Sequence, residues 1–139
     1  MRGLRVILAV GIAAGTLVAP AGASDATVKA AFVRGVAQIR GSPDATKLAA
    51  RLARTLVGLR ADRGSTALGR RGRGFAIQGF AWTLKGIRTQ LDLVANDSGN
   101  IEAAIRHAKQ ADRYLDTGAD YLRSAGRAFG IRVGKLNGR

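Results

Sequence analysis

Cysteine is absent from the 139 residues. Its absence excludes disulfides, thiolate nucleophiles, cysteine-ligated zinc and a lipid-modified cysteine at an export site. Exported domains with small cores often lean on disulfides, so this chain must be held by helix packing. Histidine occurs once, at His107, and no HxxxH spacing exists. A protein zinc site takes three or four ligands from His, Cys or carboxylate. No metal site and no cofactor are therefore expected, and His107 reads as a boundary residue on a helix. A G-x-S-x-G elbow is also missing, and no strand is expected that could carry one. The chain reads as no enzyme, and no small-molecule substrate is indicated.

Acidic residues are scarce. Lys and Arg number 23 and Asp and Glu nine, with Glu102 the single glutamate, for a formal net charge of +14. Arginine far outnumbers lysine, and alanine and glycine are abundant, as GC-rich coding produces. That bias accounts for Arg over Lys but not for a single Glu. The competing explanation of the basic balance is a function that wants an anionic partner, because net charge governs association with nucleic acid or membrane surfaces.

Long apolar runs are nearly absent too. The one that exists, Val6 to Ala19, follows the short basic head Met1-Arg-Gly-Leu-Arg5 and is ended by Pro20. Ala21-Gly22-Ala23 then supplies the small-x-small pattern of a signal-peptidase site. A spanning helix needs about 20 apolar residues, and this run is shorter and interrupted by Gly11 and Gly15. Residues 1–23 are therefore expected to be a cleaved secretory signal, cut near Ala23-Ser24. The product would be secreted or associated with the cell envelope. Removing Arg2 and Arg5 leaves 21 basic residues against nine acids, a net +12. Later in the chain, Lys85, Arg88 and Asp92 interrupt the most apolar stretch.

What remains, residues 24–139, reads as one all-α domain of four helices. The first is predicted over about 25–40, capped by Ser24 or Asp25, with Val28, Phe32, Val36 and Ile39 as its stripe. Ser42-Pro43-Asp44 restarts a helix, predicted over 43–63, with Leu48, Leu52, Leu56 and Leu59 inward. Residues 64–74 read as a basic Gly/Arg loop, because glycine at this density disfavours helix. The third helix is predicted over 75–95. Ile77, Phe80, Leu84, Ile87, Leu91 and Val94 repeat at heptad spacing. A second stripe holds Phe75, Gly79, Trp82, Gly86 and Leu93, and a helix apolar on two faces is expected at the centre of its bundle. The fourth is predicted over 99–129, with Ile101, Ala104, Ala108, Ala111, Leu115, Gly118, Leu122, Ala125 and Phe129 inward. The tail 130–139 can continue the helix, dock as an extended strand, or fray.

The short connection Asn96–Asn100 predicts that helices 3 and 4 form a long antiparallel hairpin. Centring the turn between Asp97 and Ser98 pairs Leu91 with Ala104, Ile87 with Ala108, Leu84 with Ala111, and Ile77 with Gly118. Helices 1 and 2 would then pack over the Gly/Trp face.

Two stripes on helix 4 invite functional readings. Asp112, Asp116 and Asp120 could hold a cation, but Lys109, Arg113, Arg123 and Arg127 share their face at salt-bridging spacing. His107, Tyr114 and Tyr121 could line a stacking groove, or simply mark the core boundary. The candidate anion-binding residues are Arg60, Arg63, Arg70, Arg71 and Arg73, since guanidinium groups suit phosphate and carboxylate. Lys47, Arg51 and Arg54 form a further basic strip beside the leucines of helix 2. The function expected is a non-catalytic exported protein that binds envelope lipid headgroups or acidic polysaccharide. Two alternatives stand beside it: an extracellular nucleic-acid-binding protein, and a structural homo-oligomer built on the Phe75/Trp82 face.

Overall fold

The computed structural model describes residues 23–96 and 99–136. The expected export signal lies outside the described residues, apart from Ala23. Among the described residues there are four α-helices and no strand: α1 (Ala23–Gly41), α2 (Ala45–Ala61), α3 (Ala67–Ala95) and α4 (Ile101–Phe129). The expected all-α architecture is present, and α3 and α4 pack more extensively than any other pair.

α1 and α2 form an antiparallel pair. Ser24 near the start of α1 donates its hydroxyl to Asp62 just past α2, and the Thr55 hydroxyl reaches Gln38 near the end of α1 at 3.4 Å. α1 runs alongside α3 in the same direction, with Asp25 at Ser65 and Thr66, and Gly35 against the Phe80 ring. α3 touches all three other helices, as its two apolar stripes require.

The predicted stripes supply the core. Val28, Phe32, Leu48, Leu52, Leu56, Leu59, Phe80, Leu84, Ile87, Leu122 and Ala125 form one buried cluster, with Phe129 packed against it. Phe32 sits between two other rings, 6.0 Å from Phe80 and 5.4 Å from Phe129 between centroids.

Three expectations are corrected. The basic loop predicted over 64–74 is helical from Ala67 onward, so α3 starts eight residues earlier than the predicted 75. Helical propensity was overridden by tertiary packing: Gly69 and Gly72 are buried because no side chain fits there. A Cβ on Gly69 would strike the Asp25 carboxylate, and one on Gly72 would lie 2.7 Å from the Phe129 ring. Thr66 caps this start, its hydroxyl accepting the Gly69 N–H at 3.0 Å. Gly64, at φ +75°, makes the turn that precedes it.

The second correction is the hairpin register. α4 does not lie on the Ile77/Leu84/Ile87 seam; that seam faces α1 and α2. It lies on the glycine stripe. Phe129, Leu122 and Leu115 occupy the spaces above Gly72, Gly79 and Gly86, at seven-residue steps on both helices. Gly118 in turn abuts the Gly79 carbonyl and Thr83, where the predicted register put Ile77. The faces were correct and their assignment to neighbours was exchanged. The seam of α4 is otherwise as expected from Ala111 to Phe129, whereas Ile101 and Ala108 are exposed.

The third concerns the caps. Asp44, not Ser42, caps α2, accepting the Lys47 N–H at 2.9 Å. Asp25 does not cap its own helix; it serves the amino end of α3. Beyond α4, Gly130 takes a left-handed φ of +69°. The tail does not continue the helix: residues 131–136 are neither helix nor strand, and Ile131, Val133 and Leu136 dock half-buried on the core.

Candidate anion-binding surface

Most of the predicted arginines lie near the junction of α2 and α3, where the structure employs several of them in the fold. Arg73 is the clearest case. Its Nε donates to the Leu59 carbonyl at 2.7 Å and a terminal nitrogen to the Arg60 carbonyl at 3.0 Å. A guanidinium at the last carbonyls of a helix satisfies orphan acceptors and complements the negative end of the dipole. Arg73 is thus a brace between α3 and α2 instead of the solvated loop residue expected. Arg70 donates to the Ser65 carbonyl at 2.9 Å. Arg71 lies over the Phe75 ring, 5.6 Å from its centroid. Arg60 and Arg63 are exposed.

Asp25 completes this corner. Its carboxylate accepts the Thr66 hydroxyl and the backbone N–H groups of Ser65 and Thr66. The Thr66 hydroxyl bond, and behind it the two backbone amides and the Arg70 charge, hold the Asp25 carboxyl below its ordinary 3.8 despite partial desolvation. Asp44 is likewise held below that value, chiefly by the Lys47 backbone N–H.

Two grooves border α2. The first, between α1 and α2, is lined by Arg34, Arg51 and Arg54 with Gln38 and Thr55, over the small residues Ala31 and Gly58, and contains no acid in its lining. It encloses about 270 Å³. The second, between α2 and α3, encloses about 530 Å³, and its charged lining is Arg60, Lys85 and Arg88 with Asp92. The ridge between them is low: Ala50, Val57 and Ala61 stand exposed beside Arg54. Six cations therefore border one short helix, from three different elements.

Sequence reasoning had flagged Arg51 and Arg54 as a strip and Arg60 as a candidate, but missed Arg34, Lys85 and Arg88. Arg34 joins the group only because α1 folds back on α2, a long-range pairing that no local spacing announces. Arg63 and Arg70 stay at the α2–α3 corner, away from the first groove.

The aromatic flank is occupied within the chain. Trp82 lies 5.4 Å from Tyr114 and Phe75 6.4 Å from Tyr121, between centroids. The Lys85 ammonium lies over both Trp82 and Tyr114, at 5.0 and 4.4 Å. The Tyr114 hydroxyl accepts from Gln110 at 2.6 Å. The Phe75/Trp82 face expected to carry an oligomer contact is thus packed by α4. His107 is exposed. On the acidic stripe, Asp120 pairs with Arg123.

A cavity of about 140 Å³ lies where α1, α2, α3, α4 and the tail meet, walled by Ile39, Leu48, Ile87, Leu115, Ala119 and Leu136. Its polar member, Thr83, donates its hydroxyl to the Gly79 carbonyl at 2.8 Å. Among the described residues no group of three His, Cys or carboxylate side chains is placed to hold a metal ion, and no helix is long and apolar enough to cross a membrane. No family model, no curated protein and no solved structure matches this chain.

Proposed function

We propose that this chain is an exported, non-catalytic protein that binds an anionic polymer or surface, with α2 as the contact element. The observation that carries the proposal is the pair of basic grooves on either side of α2, one of them lined by Arg34, Arg51 and Arg54 without an acid. Guanidinium groups engage carboxylate and phosphate bidentately. Two grooves separated by a low ridge suit an extended ligand that crosses the helix. Arg63, Arg70 and Arg71 add positive charge at the α2–α3 corner, while Arg73 serves the fold. Stacking of nucleic-acid bases on aromatic platforms finds little room, because Trp82 and Tyr114 are engaged with each other and with Lys85. That favours acidic polysaccharide and lipid headgroups over nucleic acid as the ligand.

Binding of this kind is mainly electrostatic and falls with added salt. The test is Arg34→Gln, Arg51→Gln and Arg54→Gln made together, assayed against phosphatidylglycerol vesicles and alginate at low and high salt. The triple variant should bind about tenfold or more weakly, each lost charge-assisted contact contributing roughly 0.5–1 kcal/mol at an exposed site, and with a flatter salt dependence. Lys109→Gln with Arg113→Gln, on α4 beside Asp112 and Asp116, should change little. A triple variant that binds like the parent at both salt concentrations refutes the assignment.

A further inference from the structure

We infer that the far end of the α3–α4 hairpin is a surface on which two copies of this chain associate. α3 and α4 have 29 residues each, whereas α1 and α2 have 19 and 17. At roughly 1.5 Å per residue the long pair spans about 43 Å and the short pair about 27 Å. Leu91 of α3 still packs against the core, and the groove between α2 and α3 reaches Asp92. Past that level the hairpin stands alone.

The uncovered end is apolar by continuation, not by scatter. Phe80, Leu84 and Ile87 are buried, Leu91 is half-buried against the core, and the same heptad seam goes on to Val94, which is 81% exposed. Across the hairpin, Ile101 is 74% and Ile105 49% exposed. Single exposed hydrophobics need no explanation. A seam that is covered as far as Leu91 and then runs on to an exposed Val94, with two exposed isoleucines on the paired helix, does.

Charge identifies the occupant. Residues 93–112, past the groove beside α2, contain Arg106 and Lys109 against Asp97, Glu102 and Asp112. The rest of the chain then holds the other 21 basic residues against six acids, of the 23 and nine in all. Two copies of so basic a protein repel one another over α1, α2 and most of α3. At this end the charges nearly balance, and residues of both signs interleave with the apolar ones. Such a patch is self-complementary, which a twofold contact between identical surfaces demands. Two helical hairpins laid end over end, apolar seams inward, make a four-helix bundle. An anionic ligand has no reason to prefer this end, so the contact is independent of anion binding by α2. With few large side chains per copy the interface is small, so association is reversible and concentration-dependent.

Sedimentation velocity on the purified protein, from low to high micromolar concentration, tests this. The expected result is a monomer shifting to twice the chain mass, with the dimer retained when salt is added. Ile101→Asp with Ile105→Asp should raise the dissociation constant at least tenfold while helical circular dichroism stays parental. Val94→Asp, at the most exposed of these positions, is the second variant and should do the same. Val57→Asp on the exposed ridge of α2 should leave the dimer intact. Three results would overturn the inference: a monomer at every concentration, a dimer unaffected by the α3–α4 variants, or a dimer that salt dissociates, which would place this end on the basic body of another copy.

Discussion

Leu122 of α4 fills the space directly above Gly79 of α3; a Cβ on Gly79 would lie 2.6 Å from the Leu122 Cγ and 2.9 Å from its backbone nitrogen. The second distance matters more, because a backbone atom cannot rotate away. Gly79→Ala must push the two helices apart, and overpacking of this kind costs about 1–3 kcal/mol. Gly74 provides the comparison: it is in the same helix with nothing near its added Cβ, so Gly74→Ala should stabilise by about 0.5–1 kcal/mol through backbone entropy. Thermal melts of the two variants should therefore move in opposite directions. Equal shifts would contradict the register described above.

Asp25 predicts an acid-side loss of stability. Its folded-state pKa lies below the ordinary 3.8, so folding favours the ionised form. The stabilisation is complete at pH values above the unfolded-state pKa and is lost as pH falls through the folded one. Urea midpoints should be flat near neutrality and decline below about pH 4. Asp25→Asn should lower the midpoint at neutral pH and shallow the acid decline. Asp44, shifted the same way, should preserve part of that decline. A variant whose acid profile superimposes on the parent's would show that the Thr66 contact does not matter.

Arg73 and Arg71 should separate on stability. Arg73→Gln leaves the Leu59 and Arg60 carbonyls without their donors and should destabilise by about 1–2 kcal/mol, the range for a charge-assisted hydrogen bond at a half-exposed site. Arg71→Gln loses only a cation–ring contact at the surface, about 0.5–1 kcal/mol. Denaturant titrations of both single variants would decide it; equal midpoints would remove the bracing role from Arg73.

Much of this was legible in the sequence, for physical reasons that also explain the failures. Heptad spacing on α3 reported which residues are apolar on which face, so Phe80, Leu84, Ile87 and the glycine stripe were all identified. Periodicity within one helix does not say which neighbour takes which face. The exchange of partners between the seam of Ile77 and the stripe of Gly79 follows from that. Gly69, Arg70, Arg71, Gly72, Arg73 and Gly74 read as loop because glycine weakens helices when nothing packs on them. Here Asp25 and Phe129 do pack, from residues 44 and 57 positions away. The candidate groove failed in the same way: Arg51 and Arg54 are local to α2, while Arg34 and Lys85 arrive through the fold.

The ring contact between Phe32 and Phe129 also bears on the order of events at the ribosome. The two residues are 97 positions apart, and Ile131, Val133 and Leu136 close over the same core still later. α1 is among the first parts of the described chain to be made, and the helices it packs on, α2 and α3, follow before α4. The Phe129 ring and the tail close over that core only at the end. A growing chain that lacks α4 leaves one side of Phe32 and the glycine stripe of α3 open, apolar surface of the kind that chaperones bind. Full compaction waits on α4, the helix with which α3 packs most extensively, and its rate should be set by that late docking and not by the formation of the helices themselves.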